Sequence, residues 1–403
     1  MSENTPQVLI PFVDINTPHS VLAEELKATF NTIMNSGGFI GGQFLDDFEA
    51  DFARFCNVKH CIGVANGTDA IQLAVMTAGV NKGDVVITVP NTFIATAEAI
   101  SLAGAVPDFV DVNEQTNNIS IEKLTNYIED HCQWDDATAT LIHKKTGRAV
   151  TAIIPVHLYG QMADMDPIME LGKKYNLKII EDACQAHGAQ YLSKNGGQEK
   201  WLTAGSCGIS GAFSFYPSKN LGAFGDAGAM VTNDEKISKA VKILRNHGQT
   251  TRNVHDVEGY NSRLDAIQAA LLQIKLRYLS MWNEKRIQNA KRYNALLNAI
   301  NEIKVPEYPI WTKCVYHLYV IRTSKRNELQ AYLRSKGVSA EIHYPTPIHL
   351  QKAYSWLGYG EGAFPIAEKL AKEILSLPMY PDLTVEHQER VTDLIKDFFG
   401  VVG

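Results

Sequence analysis

From about Cys56 to Asn233, short apolar, β-branched runs alternate with helical patterns, and this rhythm constrains the fold more than any other feature of the chain. Segments 60–64, 84–89, 106–110, 151–156 and 177–181 read as strands, and segments 67–78, 95–103, 121–127 and 167–175 as helices. Strands joined by crossover helices predict an α/β fold with a mostly parallel sheet covered on both faces. Two polar segments interrupt the rhythm: 131–148, with its Lys145-Thr146-Gly147-Arg148 run, and 193–205, with Asn195-Gly196-Gly197. Their turn residues predict hairpin-like surface insertions. Past residue 250 the pattern changes to a long helix over 264–299, with Ile267, Ala270, Leu271, Ile274 and Leu279 at helical spacing. A strand at 317–322 and helices at 327–336 and 384–399 follow. The expectation is a large α/β domain over residues 1–250 and a smaller α+β domain over 251–403.

Net charge is -6, and basic residues cluster no further than pairs such as Lys144-Lys145, so no basic face for nucleic acid is expected. The longest apolar runs are strand-sized, and the first residues lack a basic stretch followed by an apolar one. Neither a membrane span nor a signal peptide is expected, which points to a cytoplasmic protein. The six cysteines form no CxxC pair, favouring reduced thiols over disulfides or a metal site.

Four segments carry candidate chemistry. Lys219 stands between an apolar strand and a glycine-rich turn, where backbone can approach a ligand; Ser214 and Pro217 precede it. Lysines are ordinarily solvated surface groups, so position alone does not make this one functional. Asp182 closes a buried strand, where open α/β sheets gather ligands. It suits a helix N-cap equally, or a partner for a protonated pyridine nitrogen, the electron sink that carbanion chemistry needs. Asn66-Gly67-Thr68 opens a helix after a strand, and helix N-terminal N–H groups with a threonine hydroxyl suit a phosphate. Phe93 follows the next strand and fits either ring stacking or core packing. A nucleophilic lysine, an acid for a ring nitrogen, a phosphate cradle and a stacking face together match pyridoxal phosphate.

At these residues the chain resembles the DegT/DnrJ/EryC1/StrS family of nucleotide-sugar aminotransferases, within the fold-type I pyridoxal phosphate enzymes. The motifs are GTDAIQLA, TFIATAEAI, PVHLYGQMADMDPI, IIEDACQAHGA, AFSFYPSKNLGAFGDAGAMVTND, LRNHGQ, GYNSRLDAIQAALL, YHLYVIR and HYPTPIHL, in the family's order over nearly the whole chain. The resemblance implies an aspartate aminotransferase-like fold with a seven-stranded central sheet. It implies that Lys219 carries the cofactor as a Schiff base and that Asp182 pairs with the pyridine nitrogen. Gln185 would contact the phenolic oxygen, Phe93 would stack on the ring, and Gly67, Thr68 and Ser214 would hold the phosphate. Asn261 would reach that phosphate from the neighbouring subunit of a homodimer with a shared active site. Tyr159, His187, His343 and Tyr344 would line the sugar site, while His317 belongs to a structural strand. The implied reaction moves an amino group from L-glutamate, through pyridoxamine phosphate, to a keto-sugar linked to a nucleoside diphosphate, with the 3-keto position favoured over the 4-keto. Relatives with histidine in place of the lysine act as dehydratases, and Lys219 argues against that branch. Another fold-type I activity, or a regulator that binds cofactor or sugar without turnover, stands as the rival reading. Either insertion could shape the nucleotide site.

Overall fold

The computed structural model describes residues 10–401. Eleven strands precede residue 233: β1 (His60–Val64), β2 (Val85–Thr88), β3 (Val106–Phe109), β4 (Cys132–Asp135), β5 (Thr140–His143), β6 (Ala149–Ile153), β7 (Lys178–Asp182), β8 (Gln190–Ser193), β9 (Lys200–Thr203), β10 (Ser210–Ser214) and β11 (Gly228–Thr232). Seven of them cross the central sheet in the order β1-β11-β10-β7-β6-β2-β3. The run from β10 to β3 is parallel throughout, and β11 is antiparallel to both its neighbours. The continuous apolar runs have their cause here, because helices cover both faces. Val86, Ala152, Ile180, Ala212 and Met230 face one layer, which contains the helices Gly67–Thr77 and Ala95–Leu102. Ile87, Ile153, Ile179, Phe213 and Val231 face the other, against Phe48, Phe52, Ile168 and Leu272. This is the expected α/β architecture.

Both predicted insertions are hairpins. The first is more than a surface appendage: β5 pairs with β6 through Leu141↔Val150 and Ile142↔Ala149, extending the sheet. In the second, β8 pairs with β9 and also with Thr312–Lys313.

The helix Ala266–Leu297 joins two cores. Its first half gives Ala269, Leu272 and Leu279 to the sheet core. Its second half gives Ala290, Tyr293 and Leu297 to another core built from Tyr319, Ile321, Leu329, Leu333, Leu375, Val391 and Leu394. In that second core Tyr319–Arg322 pairs antiparallel with Ile374–Leu377. Two cores linked by one helix are the basis on which we propose the division into domains 1–250 and 251–403, with Ile10 as a crossing point because it packs in the second core. All six cysteines are unpaired. Among the described residues no helix is long and apolar enough to cross a membrane.

Candidate active site

The C-terminal ends of β1, β7 and β10 converge on a cavity of about 330 Å³. After β1 the chain turns into the helix Gly67–Thr77, capped by Asn66, whose side chain accepts from the Asp69 N–H at 2.8 Å. The N–H groups of Gly67 and Thr68 have no intrahelical acceptor, and both residues line the cavity. Only glycine fits position 67, because a Cβ there would stand 2.7 Å from the Ser214 Cβ. That close approach brings the end of β10 against the helix terminus, making a small anion cradle.

Asp182 is the last residue of β7 and is buried. One carboxylate oxygen accepts from the Thr96 hydroxyl at 2.6 Å, the other from the Cys184 N–H at 3.2 Å. Thr96 is held in turn by Thr92 at 3.0 Å. A carboxylate oxygen has room for further donors, so Asp182 is oriented without being saturated. Gln185 is fixed at both ends of its amide: Oε1 accepts from the Tyr159 N–H at 2.7 Å, and Nε2 donates to the Tyr344 hydroxyl at 3.1 Å.

Lys219 lies on the loop between β10 and β11. The Tyr216 carbonyl accepts its N–H at 2.8 Å, and Ala223 N–H closes the loop onto the Phe215 carbonyl at 2.7 Å. The turn is tight at Gly222, where a Cβ would sit 2.2 Å from the Pro217 oxygen. Next to the lysine, Asn220 donates to Asn283 at 2.9 Å and to the Val315 carbonyl at 3.0 Å, tying the loop to the long helix and to the segment that leads into the strand Tyr319–Arg322. Burial lowers the Lys219 pKa, with Cys184 and Asp182 opposing it. A desolvated amine of this kind is more readily neutral and nucleophilic.

Gly67, Thr68, Phe93, Asp182, Gln185, Ser214, Lys219, His343 and Tyr344 all line this one cavity. Three predicted residues do not. Tyr159 is buried behind the wall, where its N–H orients Gln185 and its hydroxyl donates to the His343 carbonyl. His187 is buried beneath Ser214, with Nε2 2.8 Å from the Ser214 carbonyl and its ring against Phe213 and Phe215. Both support the wall because their chain segments turn under it. Asn261 is exposed and lies outside this chain's own cavity. Neither insertion lines the cavity; the first instead borders a separate groove of about 710 Å³ with Tyr359 and Phe364.

His317 corrects the sequence reading. It precedes the strand Tyr319–Arg322 and stands on the cavity wall. The YHLYVIR pattern gave no reason to turn it inward; the loop before the strand does so. Thr96 was also missed as the support of Asp182; it stands in the first turn of the helix Ala95–Leu102, just after β2, and nothing in the sequence pattern marks it. His343, with Nδ1 2.9 Å from the Ser376 hydroxyl, has its pKa pushed down to about 4 by burial and then by the charge of Lys219.

Residues 20–396 match the DegT/DnrJ/EryC1/StrS aminotransferase family. The chain belongs to that family. Among its relatives is a "Pleiotropic regulatory protein" of Geobacillus stearothermophilus, 42% identical over 97% of this chain and 98% of its own. The dTDP-3-amino-3,4,6-trideoxy-alpha-D-glucose transaminase of Streptomyces venezuelae is 38% identical over 99% of this chain and 98% of its own. A Bacillus subtilis relative, the 3-oxo-glucose-6-phosphate:glutamate aminotransferase, is 32% identical over 94% of this chain and 82% of its own. The crystal structure of DesV from S. venezuelae superposes with a TM-score of 0.89 at 37% identity, covering 99% of this chain and all of that one (100%). NtdA from B. subtilis, solved with bound pyridoxamine phosphate, gives 0.82 at 30% identity, covering 99% and 86%. This DegT/DnrJ/EryC1/StrS aminotransferase therefore has the fold-type I architecture and depends on pyridoxal phosphate. Its own residues fit that group: a helix terminus too tight for any side chain at Gly67, a buried carboxylate with open acceptor positions, and a lysine inside the same cavity.

Proposed function

We propose that this enzyme transfers an amino group from L-glutamate to a keto-sugar linked to a nucleoside diphosphate, acting at the 3-keto position. The observation that carries the reading is the convergence of Lys219, Asp182 and the Gly67–Thr68–Ser214 cradle in one cavity. The substrate class is supported by the S. venezuelae transaminase, and glutamate by the B. subtilis relative.

Lys219 would hold the cofactor covalently, with Gly67, Thr68 and Ser214 around its phosphate, Phe93 against its ring and Gln185 at its phenolic oxygen. When bound, the cofactor supplies an electron sink for the pair of electrons left at the donor's Cα. Asp182, aligned by Thr96, would keep the pyridine nitrogen protonated through its negative charge. Lys219, once displaced, would take the Cα proton and return it two atoms away, to the cofactor carbon beyond the transferred nitrogen, as base and then acid. The second half-reaction reverses these roles on the sugar, with His343 and Tyr344 on the substrate side of the cavity and Tyr159 holding His343 from behind. Phe93 and Tyr216 on the rim remain 52% and 55% exposed, and Asn261 is at the surface, which supports a homodimer that completes the site from a second copy.

A regulator without turnover is the second reading, favoured by the name of the G. stearothermophilus relative. Incubating the purified holoenzyme with L-glutamate separates the two. Conversion of the cofactor to pyridoxamine phosphate with release of 2-oxoglutarate is expected, and keto-sugar nucleotides screened in the reverse half-reaction then identify the acceptor. No conversion with any amino donor would refute the enzyme reading.

A further inference from the structure

His317 has an unusual position among the residues of the cavity. It is buried, its Nδ1 is sealed from solvent without a partner, and no hydrogen bond reaches either ring nitrogen among the described residues. Its backbone is held on several sides. Val315 N–H donates to the Gly160 carbonyl at 2.9 Å, Leu318 N–H to the Tyr159 carbonyl at 3.3 Å, and Arg286 Nη1 to the Tyr316 carbonyl at 3.2 Å. A Cβ on Gly160 would stand 2.9 Å from the His317 nitrogen, so the two loops are in direct contact. The ring is fixed in place and has nothing in the chain to bond.

Its protonation state follows from its surroundings. Burial, then the positive charges of Lys219 and Arg286, push its pKa well below the ordinary histidine value. A neutral ring carries one proton. Placing it on Nδ1 would bury an N–H without a partner, the arrangement proteins avoid most consistently. The proton belongs on Nε2, which leaves a neutral N–H donor facing the cavity.

That cavity must accommodate two unlike substrates in turn. The amino donor brings carboxylates, and the keto-sugar ring that replaces it brings none. Among the residues this chain itself contributes to the cavity there is no arginine, and Lys219 is the single cationic side chain. Lys219 is committed to proton transfer. An arginine in this place would be left as an uncompensated buried charge whenever the sugar occupied the site, a strongly unfavourable state. A neutral donor loses one hydrogen bond in the same exchange, which is a far smaller penalty.

We propose that His317 receives the α-carboxylate of the amino donor, presenting Nε2–H as the neutral donor that lets one cavity serve both half-reactions. The inference rests on the glutamate-to-keto-sugar reading and adds how the donor is held. The test is a spectral titration of holoenzyme with α-methyl-L-glutamate, which has no Cα proton to lose and so reports binding alone. His317→Leu is expected to raise the apparent dissociation constant at least tenfold and His317→Gln, which retains a donor, by less. The KM for the keto-sugar nucleotide found by the screen is expected to stay within twofold, with the cofactor absorbance unchanged. If His317→Leu fails to hold cofactor, His317→Asn takes its place under the criteria set for Gln. Equal affinity of wild type and variant for the analogue would overturn the inference, as would an equal rise in both constants. A wild type whose cofactor is not converted by L-glutamate removes the underlying reading itself, an outcome visible before any variant is made.

Discussion

One wall of the cofactor cavity comes from the ends of neighbouring strands, the other from loops much further along the chain. Gly67, Asp182 and Ser214 leave β1, β7 and β10 at the same edge of the sheet, in positions set by pairings such as Ala212↔Asp182 and Ser214↔Gly228. The sheet alone aligns them. His317, His343 and Tyr344 instead reach the cavity because the Tyr159–Gly160 turn bonds their loops one at a time. The first wall faces what every turnover shares, the cofactor, and a rigid ladder suits it. The second faces what changes between half-reactions, and loops on a scaffold are where such adjustment is built.

Substitutions should therefore separate the walls. The largest effect is expected on the strand wall: Asp182→Asn should retain cofactor yet slow both half-reactions by about 10²–10⁴-fold, the usual range for losing control of a proton. Equal rates in stopped-flow half-reactions would refute the role of Asp182. Gly67→Val comes next, since its Cβ would meet Ser214 at 2.7 Å. Cofactor affinity, read by absorbance during dialysis, should weaken by about 10–100-fold for an overpacking cost of ~1–3 kcal/mol. On the loop wall, Tyr159→Phe removes the hydroxyl that holds the His343 carbonyl. It should raise the sugar KM about threefold to tenfold, as for one hydrogen bond of ~0.5–1.5 kcal/mol, and leave the glutamate half-reaction unchanged. An equal effect on both half-reactions would erase the distinction.

The last effect falls on stability instead of turnover, as a pH dependence. Burial first, then the charge of Lys219, pushes the pKa of His187 down to about 3 and that of His343 to about 4, from 6.5. As pH falls through about 6.5, the unfolded chain takes up protons that the folded rings refuse, so stability declines toward pH 4. Each ring contributes at most roughly 1.4 kcal/mol per pH unit across that window. Melting temperatures at pH 7.5 and 5.5 check this, and His343→Gln should flatten the slope.

The strand wall was legible in the sequence for the reason that makes it rigid. Asp182 ends an apolar run and Gly67 opens a helix after another, so local pattern and position in the sheet coincide. On the loop wall, spacing carries no such information. His343 and Tyr344 were found through resemblance alone. His317 was assigned to a strand because its neighbours 319–322 form one, and Tyr159 and His187 were placed in the cavity although their segments turn beneath it. The helices Asn16–Val21, Ala23–Ser36 and Gln43–Phe55 gave no strand–helix rhythm to read, yet Phe48 and Phe52 complete the core under β10. Tertiary contact decides such elements, and a single sequence does not display it.

The central claim is that Lys219 binds the cofactor covalently and moves the proton. Lys219→Ala, purified with added pyridoxal phosphate, tests both parts at once. The account predicts a protein that melts near the wild type, loses the visible absorbance of the bound cofactor in its Schiff base, and shows no multiple turnover with L-glutamate and the keto-sugar nucleotide. Sustained multiple turnover by that variant would contradict it.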